Sequence, residues 1–318
     1  MTTIRELDPH KTAFVFPGQG SQVVGMGRDL AENFPVAAKI FEEADSTLGF
    51  GLSQIMWSGP AELLNDTLNT QPALFVHSLA AFETFRQLFP DFVPALMAGH
   101  SLGELSALAA GGSLSFPAAL RLVRRRGELM KQAGDANPGG MAAVLNLDIP
   151  TLEGICASAS TPAETVQVAN DNCPGQVVIS GAKPAVERAM QMAKAAGARR
   201  TIPLAVSIAA HSSLMAGIQA EWDAAVAGAG LQDSKIPVIG NVDAEMLSGG
   251  DQLSRDIQRQ MQSRVRWTET VTAAQAQGMT AFVEVGTGSV LLGLIKRIAS
   301  ELTGITLGTA QDLASLQA

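Results

Sequence analysis

Short apolar runs that stop at glycine alternate with amphipathic stretches along most of the chain. Residues 92–98 are almost wholly apolar and end at Gly99, and residues 104–110 carry apolar side chains at helical spacing and end at Gly111-Gly112. The first reads as a buried strand and the second as a helix. The same reading gives strands at 12–16, 237–242 and 280–285, and helices at 36–48, 60–65, 72–88, 117–133, 265–277 and 290–302. Pro72 suits the first turn of its helix. Residues 310–318 read as a loose end.

Between 135 and 205 the rhythm changes. After the break Asn137-Pro138-Gly139-Gly140, strands at 141–147, 165–170, 176–180 and 199–204 enclose helices at 151–159 and 184–196. Asp171-Asn172-Cys173-Pro174-Gly175 reads as the connection between the middle strands. The order β-α-β-β-α-β is that of a ferredoxin-like unit. The expected fold is therefore α/β: an α/β-hydrolase-like large domain with a parallel sheet core (1–134 and 206–318) and an inserted ferredoxin-like small domain (135–205).

Composition narrows the function. With 318 residues and 47% hydrophobic content, the chain can bury a large core. No apolar run reaches the length of a membrane span, and residues 1–11 carry charges of both signs without an apolar signal region. Both favour a soluble, cytoplasmic protein without a membrane partner. Cys156 and Cys173 fit no metal spacing and read as reduced thiols. The formal net charge of −8 argues against nucleic acid, and an acidic partner would need a local basic patch.

The candidate chemistry starts at Gly99-His100-Ser101-Leu102-Gly103, a strand–turn–helix with the spacing of a nucleophile elbow. There the Leu102 N–H points at the oxygen that the serine attacks. Pro17-Gly18-Gln19-Gly20-Ser21-Gln22 follows the first strand but lacks the lysine of a phosphate loop. It is either a second oxyanion donor or a plain turn. Gln71 either caps its helix or reaches into a site. Arg126 aligns with Leu122, Leu129 and Met130 on the apolar side of its helix, so it must meet an anion. That anion is an internal carboxylate or a substrate carboxylate. Arg124 can pair with Glu128. His77 and His100 read as structural. His211 stands at a loop-to-helix junction, after the serine in the order of α/β hydrolases. Neither Asp243 nor Asp256 offers an obvious third member, so a backbone carbonyl could orient the imidazole. Gly286-Thr287-Gly288 is too short a motif for a dinucleotide.

These motifs together, with Gln71-Pro72-Ala73-Leu74, Arg126-Gly127 and the run from Asn172 to Gly181, closely resemble the malonyl-CoA:acyl-carrier-protein transacylase family, which includes the acyltransferase domains of fatty-acid and polyketide synthases. The resemblance runs from about Thr12 to Leu307. It implies malonyl transfer from coenzyme A to the phosphopantetheine thiol of an acidic acyl carrier protein through a malonyl-serine, by a monomer without metal or redox cofactor. Ser101 would be the nucleophile, His211 the base and acid, and the N–H groups of Gln19 and Leu102 the oxyanion hole. Arg126 would clamp the malonyl carboxylate, Gln71, Asn172 and Ala210 would line the substrate, and the Arg266 carbonyl would orient His211. The carrier is expected at the cleft between the domains, on some of Arg121, Arg125, Lys194, Arg199 and Arg200. A serine hydrolase or editing thioesterase is the rival, and a carrier-docking scaffold without activity is a third reading. Ala210 stands where related acyltransferases carry a phenylalanine with malonyl or a serine with methylmalonyl. Malonyl with incomplete exclusion of methylmalonyl is therefore expected, with a methylmalonyl-selective enzyme as the alternative.

Overall fold

A computed structural model describes residues 4–317. Residues 1–3 and 318, which the expected domain bounds include, lie outside it. The strands in chain order are β1 (Thr12–Phe16), β2 (Leu96–Gly99), β3 (Gly139–Leu145), β4 (Val166–Cys173), β5 (Gln176–Ala182), β6 (Arg200–Pro203), β7 (Val238–Ile239), β8 (Met246–Leu247), β9 (Val265–Arg266), β10 (Ala281–Val285) and β11 (Thr303–Leu307).

One sheet has the order β11-β10-β1-β2-β7-β8 and is parallel except for β8. Its centre is buried on both faces, as parallel sheets require. Alternation along β1 sends Phe14 and Phe16 into one core and Ala13 and Val15 into another. The all-buried pattern of β1 explains why it read so clearly in the sequence.

The second sheet has the order β6-β3-β5-β4-β9, antiparallel except where β9 joins β4. The helices Ile149–Ala159 and Lys183–Ala195 share one core with its inner face, built from residues such as Val144, Leu152, Ile179 and Ala189.

Several elements differ from the sequence pattern. The helix carrying Pro72 runs Thr67–Leu88, so the proline is internal rather than in the first turn. It is tolerated because Leu68 O, which would normally take the N–H of residue 72, accepts from Arg124 Nη1 at 2.8 Å. Asp66 caps this helix through Leu68 N (3.0 Å). Residues 171–173 belong to β4, with irregular register at Val168/Asn170 and Asp171/Cys173. Val265–Arg266 is a strand rather than the start of a helix; it adds a fifth strand to the second sheet from much later in the chain. The segment 310–317 is the ordered helix Ala310–Gln317, held by buried Leu313 and Leu316 and by Asp312, which accepts from Gly308 N and Thr309 N. Glu284 accepts from Leu291 N and Leu292 N, so the helix N-terminus after Gly286-Thr287-Gly288 is already filled by a carboxylate. Both cysteines are free and buried. Among the described residues no helix is long and apolar enough to cross a membrane.

Candidate active site

The turn from β2 into the helix Leu102–Ala110 is as tight as its glycines suggest. A Cβ on Gly99 would stand 1.9 Å from Gly103 C, and one on Gly103 would stand 1.9 Å from Phe16 O. Ser101 sits at φ 53°, ψ −107°, a conformation costly for a residue with a side chain. Asn241 holds it there: Oδ1 accepts from Ser101 N at 2.7 Å and Nδ2 donates to Gly99 O at 2.7 Å. His211 also has a positive φ, 57°. Strained backbone at two residues that meet marks a site built for chemistry.

The two do meet. Ser101 Oγ lies 2.7 Å from His211 Nε2. On the other side of the ring, Nδ1 faces Gln260 O at 2.9 Å and Ser263 O at 3.1 Å. Carbonyl oxygens only accept, so the proton is on Nδ1 and Nε2 is left to accept from the serine. No carboxylate is needed to select that tautomer. The orienting carbonyls are not that of Arg266. Arg266 is engaged in β9, with N–H on Asn241 O (3.1 Å) and Nε on Val242 O (2.7 Å). Gln260 and Ser263 lie where the helix Gly250–Gln260 runs out and carbonyls lose their intrahelical partners.

Arg126 is 1% exposed, on the inner face of the helix Phe116–Ala136. It makes no ion pair among the described residues. Nη1 donates to Gln71 Oε1 (2.8 Å), and Nη2 donates to Gln260 Oε1 (2.9 Å) and Ser101 Oγ (3.1 Å). Burial lowers its pKa to about 10, so it remains a cation at neutral pH. No carboxylate pairs with it directly among the described residues: a buried guanidinium faces the nucleophile with amide oxygens around it. His211 is pushed down to about 3, first by burial and then by the Arg126 charge.

Gln71 is fully buried and does not cap its helix. It donates to Thr67 Oγ1 (3.1 Å), which donates to Gln19 Oε1 (3.1 Å). This chain ties the glycine loop to Arg126. The loop also lies against the elbow, since a Cβ on Gly18 would stand 2.5 Å from His100 O. Leu102 is the first residue of its helix, so its N–H has no partner four residues back. Ala210 is half-buried beside His211 and packs on the large core. Asn172 sits one step away from the reacting groups: its Oδ1 is 2.8 Å from His100 Nε2, and His100 stands edge-on to Trp267. His77 is a core residue bound to Gly308 O. Arg124 pairs with Glu128, and Arg125 is committed to Glu128 and Glu221.

Sequence reasoning missed Asn241, Gln260 and Gln167, whose Nε2 donates to His211 O at 3.2 Å. Gln260 had a readable signal. It shares the buried stripe Leu253, Asp256, Ile257 and Gln260, where two polar residues occupy apolar spacing. Asn241 and Gln167 lie on irregular backbone and on a half-buried strand position, where no periodicity singles them out.

The acyl transferase domain family matches residues 13–314. A malonyl CoA-acyl carrier protein transacylase of Haemophilus influenzae is 44% identical over 308 residues, 97% of each chain. That of Bacillus subtilis is 42% identical over 305 residues, 95% of each. Among solved structures, an acyl carrier protein S-malonyltransferase from Vibrio cholerae superposes with a TM-score of 0.93 at 43% identity, covering 96% of this chain and 99% of that one. A malonyl-transacylase in complex with its type II PKS acyl-carrier protein gives 0.92 at 41% identity, covering 96% and 98%.

Proposed function

The chain belongs to the acyl transferase domain family, and from that premise we propose how its residues divide the reaction. The enzyme is an S-malonyltransferase: it moves malonyl from coenzyme A to the thiol of an acyl carrier protein. The observation that carries the division of labour is the position of Ser101 Oγ, 2.7 Å from His211 Nε2 and 3.1 Å from Arg126 Nη2.

His211 Nε2 takes the Ser101 proton as Oγ attacks the thioester carbon. The tetrahedral oxyanion lies on the Leu102 N–H, at the positive end of its helix, and on the Gln19 N–H. The C–S bond breaks, coenzyme A leaves with the proton from His211, and malonyl remains as an ester on Ser101. The carrier thiol then gives its proton to His211 and attacks the ester, and Ser101 leaves with that proton. Atoms and charge balance in both halves without electron transfer. Arg126 receives the free carboxylate as a two-bond fork, with Gln71 holding the guanidinium plane. We assign Ala210 to the wall beside the malonyl C2 carbon, and Asn172 to the support of His100 rather than to direct substrate contact.

We read residues 1–134 with 206–318 as the α/β-hydrolase-like domain and 135–205 as the inserted ferredoxin-like unit. The order β6-β3-β5-β4 and the separate core under it support this, with β9 as a strap from the large domain. Hydrolysis of neutral esters is disfavoured because a buried guanidinium beside the nucleophile has no use there. Assay of holo carrier malonylation tests the division of labour: the wild type should label the carrier, and Ser101→Ala and His211→Ala should not. Free malonate without labelled carrier would assign hydrolysis instead.

A further inference from the structure

Under the active site lie two carboxyl groups that the transfer steps do not use. Glu104, in the first turn after the elbow, is 1% exposed, and Asp256, on the helix Gly250–Gln260, is 6% exposed. Each is close enough to shift the other's titration, and Asp256 Oδ2 is buried without a donor among the described residues. Two carboxylates both accept, so such a contact needs one proton between them.

Gln260 stands on this pair. Its Nε2 donates to Glu104 Oε2 (2.6 Å) and to Ser101 O (2.9 Å), and its Oε1 accepts from Arg126 Nη2 (2.9 Å). Its carbonyl accepts from His211 Nδ1 (2.9 Å). One residue thus touches the nucleophile's backbone, the base and the carboxylate clamp, and Glu104 sets which way its amide faces.

We propose that Glu104 and Asp256 share one proton and act as a positioning pair, orienting Gln260 while keeping Glu104 neutral so that the charge of Arg126 stays available to the substrate carboxylate. This rests on the roles given above to Ser101, His211 and Arg126.

The surroundings favour the proton on Glu104. Burial, and then the charge of Asp256, raise Glu104 well above the usual carboxylate range. Asp256 is raised by burial, with the backbone of Val242 and Asn241 favouring its ionised form; Gln260 and the Asn241 backbone pull Glu104 the same way, but there burial and the charge of Asp256 outweigh them. The other titratable groups facing the pair are Arg126 from the helix Phe116–Ala136, His211 across Gln260, and Asp243 and Arg259 beyond Asp256. Asp243 and Arg259 pair with each other at 2.7 Å and largely cancel. An ionised Glu104 would be a standing counter-ion for Arg126 and would compete with malonate.

The test uses the whole enzyme. Glu104→Ala should lower kcat/KM for malonyl-CoA by roughly ten- to hundredfold, the scale of a misplaced reacting group. Glu104→Gln, which can donate to Asp256 and accept from Gln260, should restore most of that loss. Asp256→Asn removes the negative charge that favours the proton on Glu104, lets Glu104 ionise beside Arg126, and should raise KM for malonyl-CoA while sparing acetyl-CoA. Infrared difference spectra of wild type against Glu104→Gln, recorded without substrate, should show the loss of a protonated carboxyl stretch at neutral pH. A Gln variant no better than Ala, equal damage to both substrates in Asp256→Asn, or no protonated carboxyl band would each overturn the proposal. The infrared band is independent of turnover, so its absence would leave the transfer assignment standing. A wild type that fails to label the carrier would instead remove that assignment.

Discussion

Arg126 Nη2 lies 3.1 Å from Ser101 Oγ. The clamp for the far end of the substrate and the nucleophile for its near end are therefore within one hydrogen bond. In malonyl the free carboxylate and the thioester carbonyl are separated by a single methylene, so a carboxylate on Arg126 brings the reacting carbon to Ser101. The distance is a ruler as well as a charge. Arg126→Ala should lose malonyl transfer by about 3 kcal/mol, the scale of a charged hydrogen bond, on the order of a hundredfold in kcat/KM. It should gain relative activity on acetyl-CoA. Arg126→Lys keeps the charge without the fork and should recover only part of the loss. An unchanged acyl preference in either variant, measured with competing thioesters, would contradict the clamp.

Burial, with the same arginine second, sets the acid limb of the pH profile. His211 acts as a base only when unprotonated, and burial with the Arg126 charge lowers its pKa to about 3. Serine acylation by malonyl-CoA should therefore persist below the ordinary histidine value of about 6.5. In Arg126→Ala, assayed with acetyl-CoA, the limb should move up toward neutral, because kcat/KM reports the free enzyme. Stability has the matching sign. Below about 6.5 the unfolded chain protonates its histidines, while folded His211 resists until about 3. Stability is thus full above that window and falls as pH drops through it. A wild-type limb at 6.5 or higher would contradict the shift.

Much of this site was legible because its chemistry coincides with backbone constraint. Gly99 and Gly103 are required by contact with other backbone, so the elbow announces itself as a motif. Arg126 could be seen because a guanidinium on an apolar stripe has no cheap explanation. The partner that orients His211 was not legible. A backbone carbonyl carries no residue-type signature, and the turn that exposes Gln260 O and Ser263 O depends on where a helix ends. Assigning it to Arg266 by analogy of position therefore failed. The fold shows the same division. Strands buried on both faces, such as β1, were visible; the edge strand β11, only partly buried, and the two-residue strands β8 and β9 were not. The contact of Asn172 with His100 was not legible, because Asn172 lies in the irregular end of β4, where side-chain direction does not follow simple alternation.

Ala210 sets a further expectation. It is half-buried next to His211, and a methyl on the malonyl C2 carbon would be discriminated by only about 1–3 kcal/mol in an apolar pocket. Malonyl-CoA should win a competition at equal concentration, with methylmalonyl transfer detectable. Ala210→Phe should sharpen the preference. An unchanged ratio would show that the discriminating wall lies elsewhere.

Carrier docking is expected on Arg199 and Arg200, both exposed at the start of β6, in the segment that leads to His211. Arg125 is a weaker candidate than its sequence position suggests, since Glu221 and Glu128 already hold it. Reversing the charge of both Arg199 and Arg200 should raise KM for carrier severalfold and flatten its salt dependence, while KM for malonyl-CoA stays nearly constant. Parallel changes in both constants would place coenzyme A, rather than carrier, on this face.

The most direct measurement is the fate of the acyl group on Ser101. Intact-mass spectrometry of the enzyme mixed with malonyl-CoA should show one malonyl adduct, absent in Ser101→Ala. Adding holo carrier should discharge that adduct much faster than water does, with the same mass appearing on the carrier. Rapid loss to water, with no malonyl on the carrier, would contradict transfer through this serine.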